Sequence, residues 1–101
     1  MYFEHERLEV YTVALAVARR VAKLGGSRAL KDQALRAAQS IVLNVAEGAS
    51  LVPGDAKRNH YRIALGSAGE VAAALDLLDG PADLITDNRR VGQMLGALTR
   101  R

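Results

Sequence analysis

Cysteine is absent from the 101 residues. That excludes disulfide frameworks, thiol nucleophiles and cysteine-bearing metal sites, and it fits a reducing cytoplasm. Proline occurs only twice and aromatic residues number four, scarcities typical of a compact helical protein. No stretch approaches the roughly 18 consecutive apolar residues of a membrane span. The opening MYFEHERLEV lacks a basic n-region and an uninterrupted apolar h-region, so no export signal is expected. Charge of one sign is missing from two long segments: Val10 to Lys31 holds five basic residues and no acidic one, and Glu70 to Asp87 holds five acidic residues and no basic one.

What remains is half hydrophobic and a quarter charged, with a net charge of +3 and abundant Ala and Leu. Such a mixture suits a compact helical protein, and the length suits one domain over 1–101 with a modest core. The net charge permits an anionic partner without requiring one.

Punctuation falls at Gly25-Gly26-Ser27, Val52-Pro53-Gly54 and Gly80-Pro81. It divides the chain into helices expected near 5–24, 30–49, 55–79 and 83–99, with Asp55 and Asp83 as N-cap or first-turn carboxylates at positive helix ends. No strand alternation competes. Loops this short favour antiparallel neighbours, so the expected fold is all-α, an antiparallel up-down-up-down four-helix bundle. The third helix carries the clearest core seam, in Tyr61, Ala64, Ala68, Val71, Leu75 and Leu78.

The first helix has two apolar stripes about 130° apart at 100° per residue. One is Leu8, Tyr11, Leu15, Ala18 and Ala22; the other is Val10, Val13, Val17, Val21 and Leu24. A lone bundle buries one stripe and leaves the other to be covered. The sequence reading gives the first to the core and the valine stripe to a homo-oligomer interface.

On the second helix Gln33, Arg36, Ser40, Asn44 and Glu47 fall within about 80°, with apolar residues around most of the rest. The stripe is either a narrow solvent face or a polar network that fixes how helices meet. Ser and Asn are weak helix formers that improve a wet surface little, which favours the network. Arg36, Ser40, Asn44 and Glu47 are its members, with Ser67 and Glu70 as partners on the third helix, where Gly66 and Gly69 would admit a close backbone. Catalysis is the weaker reading: Glu47, Glu70 and His60 form no constellation whose distances the sequence fixes. The Glu-x-x-His spacing of a di-metal bundle does not occur, and His5 and His60 read as surface or cap residues. No cofactor and no small-molecule substrate is expected.

"SIVLNVAEGA" followed by "YRIALGSAGE" resembles the paired signatures of bacterial four-helix-bundle proteins linked to intervening sequences in large-subunit ribosomal RNA, with the accessory variability determinants of diversity-generating retroelements as cousins. Arg36, Ser40, Asn44, Ala46, Glu47 and Gly48 occupy the first signature; Ala64, Gly66, Ser67 and Glu70 occupy the second. The opening "LEVYTVALAVARRV" is similar to the family's first helix, with Tyr11 where tryptophan is frequent, and "VGQMLGAL" is similar to its last. Val42 stands where a proline is common, and "ASLVPGDAK" replaces a shorter turn that carries an arginine. The resemblance implies a non-enzymatic bundle, assembled as a ring-like pentamer, that binds RNA or other nucleic acid.

The candidate nucleic-acid contacts are Arg19, Arg20 and Lys23 at one end of the bundle and Lys57, Arg58, Arg62, Arg100 and Arg101 at the other. The first set would neighbour Asp76, Asp79, Asp83 and Asp87, and the second Glu4, Glu6 and Glu9. Two readings follow: an oligomeric nucleic-acid-binding accessory protein, and an oligomeric scaffold with no nucleic-acid partner. Salt dependence of RNA binding separates them.

Overall fold

The computed structural model describes residues 1–100. A short 3-10 helix at Glu4–Arg7 precedes four α-helices: α1 (Glu9–Val21), α2 (Arg28–Ala49), α3 (Asp55–Leu78) and α4 (Ala82–Thr99). No strand occurs among the described residues. α1 packs on α2 and α4, α2 on α3, and α3 on α4, which is consistent with a bundle.

The local chemistry sets the ends. α1 is shorter than the expected 5–24 because Leu8 is extended (φ −90°, ψ 127°) and separates the 3-10 helix from it. At its far end the bonds from Lys23 N–H to the Arg20 carbonyl and from Leu24 N–H to the Val21 carbonyl tighten the last turn and stop it. Ser27 caps α2, its Oγ accepting from Leu30 N–H at 3.4 Å, so this helix begins two residues before the expected 30. α3 ends where Asp79 adopts the left-handed conformation (φ 52°) and Gly80 N–H donates back to the Leu75 carbonyl at 2.9 Å. The sequence pointed to Gly80 as the stop, but aspartate, which tolerates that conformation better than most residues, takes the strained position. Asp55 and Asp83 both lie in first turns.

The interior is built mostly from small side chains. Ala14, Ala34, Ala38 and Ala64 are at most 1 % exposed, and Ile41, Leu75, Leu84 and Leu95 fill the space between them. Tyr61, Ala64, Ala68, Val71 and Leu75 of the expected α3 seam are buried, and Leu78 is half-buried.

α1 reverses the sequence reading. Val10, Val17 and Val21 are 3 %, 1 % and 1 % exposed, so the stripe given to subunit contact lies inside the protomer, with Val13 and Leu24 half-buried at its margins. Of the stripe given to the core only Ala18 is buried; Leu8, Tyr11 and Leu15 are half-buried and Ala22 is exposed. The reason is the true length of the helix. Leu8 and Ala22 lie just outside Glu9–Val21, which leaves that stripe three helical members, whereas the valine stripe keeps four and gains Ala14 and Ala18 beside it. α2 is also wetter than expected: Arg36, Gln39, Leu43 and Glu47 are exposed, Leu43 at 68 %.

Candidate functional site

A close approach between α2 and α3 depends on a glycine. A Cβ added at Gly48 would stand 2.8 Å from Tyr61 Cε1 and 3.2 Å from His60 Cβ, so only glycine lets α2 approach the Tyr61 ring. Tyr61 is 3 % exposed, and its burial pushes the phenol above its ordinary value, so it stays neutral.

One turn along, four polar side chains form a chain across the two helices. Ser67 Oγ donates to Ser40 Oγ at 2.8 Å, and Asn44 Nδ2 donates to Ser40 Oγ at 3.2 Å and to the Ser40 carbonyl at 2.9 Å. That carbonyl only accepts, so Nδ2 must face it and Oδ1 must face His60, whose Nδ1 lies 3.0 Å away. His60 Nδ1 therefore carries a proton. Ser67 is 6 % exposed, while Ser40, Asn44 and His60 are half-buried.

The structure keeps part of the expected network and discards the rest. Ser40, Asn44 and Ser67 are joined, but Arg36, Glu47 and Glu70 are exposed and make no hydrogen bond or ion pair with it among the described residues. Arg36 and Glu70 instead flank an open polar groove of about 380 Å³ whose wall includes Gln33, Ser40 and Ser67. His60 was missed; its seven-residue separation from Ser67, which puts both on one side of α3, was the available signal. Asn88 was missed too. It is 2 % exposed, and it sits in the spacing Leu84, Asn88, Val91, Leu95 where an apolar residue would be expected.

The cations divide sharply. Lys57 Nζ donates to the carbonyls of Gly48 (3.1 Å), Ala49 (3.4 Å) and Leu51 (3.0 Å), capping the negative end of α2, and lies 5.7 Å from the Tyr61 ring centroid. All three of its donors are engaged, so it is not available to phosphate. Arg58 pairs with Asp55, and Arg20 grips Asp83 through two bonds of 2.7 and 3.2 Å. That contact raises the Arg20 guanidinium above its usual value and holds the Asp83 carboxyl below its own. Arg19, Lys23, Arg62 and Arg100 are exposed and have no ion pair among the described residues, and Arg101 lies outside them. Arg19 lies in the last turn of α1, and Lys23 follows two residues past its end.

No group of three or more His, Asp or Glu side chains gathers as a metal site among the described residues, and no helix is long and apolar enough to cross a membrane. The arrangement defines an all-helical protein with a hydrogen-bonded polar contact between its two long central helices. The family model for the 23S rRNA-intervening sequence protein matches residues 6–89, and the chain belongs to that family. No curated protein and no solved structure matches it.

Proposed function

We propose that this chain is a non-enzymatic, cytoplasmic accessory protein that binds ribosomal RNA as a homo-oligomer of one-domain protomers, five by the family resemblance. The observation that carries the reading is family membership across residues 6–89, whose description ties the fold to 23S rRNA intervening sequences. The protomer is read as an up-down-up-down bundle with antiparallel neighbours. In support, rising positions on α2 meet falling ones on α3 (Ser40 with Ser67, Asn44 with His60), and rising positions on α1 meet falling ones on α4 (Glu9 with Arg90, Arg20 with Asp83).

Arg19 and Lys23 at one end and Arg100 at the other are the cations on which phosphate contact rests, because Arg20 is held by Asp83, and Lys57 and Arg58 are engaged. The Ser40–Asn44–His60–Ser67 chain sets helix register and performs no chemistry. The test is a gel shift with an rRNA intervening-sequence transcript over a salt series. Affinity is expected to fall steeply with salt, and Arg19→Glu with Lys23→Glu should flatten the slope by about 0.7–0.9 per lost phosphate contact. No shift at low salt, together with a co-purifying protein that survives nuclease, would replace this reading with the scaffold.

A further inference from the structure

α3 carries an outward stripe, Arg62, Gly66, Gly69, Ala73 and Asp76, spaced four, three, four and three residues apart and exposed throughout. Its glycines have no role inside the protomer. A Cβ added at Gly66 or Gly69 meets nothing within 4 Å, and neither does one at Gly92 across the groove on α4. Glycine inside a helix costs about 1 kcal/mol relative to alanine, and here the protomer's own packing returns nothing for it. Beside Gly69 an open groove of about 430 Å³ runs between α3 and α4, walled by Leu65, Ala72, Gly92 and Asn88. Asn88 adds an independent sign of incompleteness: it is 2 % exposed and donates Nδ2 to the Ala68 carbonyl at 3.0 Å, yet its Oδ1 has no hydrogen-bond partner among the described residues.

The complementary shape is on the same chain. The outer ridge of α2 is Arg36, Gln39, Leu43 and Glu47, all exposed, with one large apolar side chain at its centre that is 68 % exposed. We propose that this α2 ridge seats on the α3 stripe of a second copy, with Leu43 entering the groove at Gly69. The inference rests on the homo-oligomeric part of the reading above and names the two surfaces.

Charge fixes the direction. With Leu43 over Gly69 and the helices opposed, Arg36, seven residues before Leu43, meets Asp76, seven after Gly69. On the other side Glu47, four after Leu43, meets Arg62, seven before Gly69. At 1.5 Å per residue these offsets are about 10 Å for Arg36, Asp76 and Arg62 and about 6 Å for Glu47, a mismatch that long side chains span. The same-direction alternative sets Arg36 against Arg62 and Glu47 against Asp76. None of the four has an ion pair within its own chain among the described residues. The two surfaces are different patches, so the contact is heterologous and propagates into a ring when its rotation closes. Arg62 is thereby a subunit contact in place of a nucleic-acid contact.

The experiment is light scattering of the full chain at micromolar concentration, with helicity and thermal melting followed in parallel. Leu43→Ser and Gly69→Leu are each expected to lower the assembled mass while helicity holds, since a Cβ at Gly69 meets nothing within 4 Å in the protomer. Arg36→Glu should weaken association about tenfold, and adding Asp76→Arg should restore it. An assembled wild type whose mass survives Leu43→Ser and Gly69→Leu overturns this seat and leaves the oligomeric reading standing. A charge reversal that Asp76→Arg fails to rescue overturns the opposed alignment. A wild type that is monomeric throughout overturns both.

Discussion

The α2–α3 and α3–α4 contacts use the same ingredients, helical glycine and a buried or half-buried asparagine, in different ways. At α2–α3 the glycine is filled from outside, because Gly48 faces the Tyr61 ring at a distance no Cβ could share, and both ends of the Asn44 amide are bonded. At α3–α4 Gly69 and Gly92 face open space and only one end of the Asn88 amide is bonded. The first contact is complete within one chain. The second buries Leu84, Val91 and Leu95 of α4 as well as any contact in the fold, yet among the described residues its glycines meet no neighbour and one amide oxygen has no partner.

The largest expected effect is at the complete contact. Gly48→Val pushes a branched side chain into Tyr61 Cε1 and His60 Cβ, and the 3 % exposed ring has little room to yield. Overpacking of that kind is expected to cost about 3 kcal/mol, lowering the melting temperature by more than about 10 °C. An unchanged melt would mean that the ring swings aside and the close approach is dispensable.

Asn44→Leu comes next. It strips His60 Nδ1–H of its acceptor and Ser40 Oγ of one donor, for an expected loss of about 1–2 kcal/mol by chemical denaturation. The helix carbonyl of Ser40 keeps its backbone partner, which limits the damage. If stability and assembled mass are both unmoved, the polar chain sets no register.

The same substitution at Asn88 should behave differently. Asn88→Leu gives up one bond to a carbonyl already used by its helix and removes an oxygen that has no partner among the described residues, so stability should stay within about 1 kcal/mol. A loss as large as that of Asn44→Leu would mean that Oδ1 is satisfied in the assembled protein.

Local signals in the sequence carried much of this architecture. Glycine and proline punctuation located the four helices, and the α3 seam from Tyr61 to Leu75 went inward because three- and four-residue spacing admits one inward face there. The α1 assignment failed because Leu8 and Ala22 were counted as helical and are not. In the site, Ser40, Asn44 and Ser67 were legible from shared helix faces, whereas the capping of α2 by Lys57 was not. Its ammonium reaches back to carbonyls six to nine residues earlier, across a turn whose path the sequence does not encode in any periodic pattern.

The smallest expected effect tests whether the α1–α4 edge resembles either contact. Arg20 and Asp83 join it through a bidentate bond, but both heads are exposed, so water and salt screen the pair and its contribution is slight. The guanidinium holds the Asp83 carboxyl below its ordinary value, so folding favours the ionised acid. Whatever stability it adds is present above the unfolded carboxyl value of about 3.9 and is lost as pH falls through the lower folded value. Arg20 is shifted upward from a value already high, so it stays charged across the accessible range and adds no pH dependence of its own. Melting temperature followed through acid should therefore be slightly higher for the wild type than for Asp83→Asn above about pH 4, with the two curves converging below it. Parallel curves would mean that the bridge orients α4 on α1 without stabilising the fold.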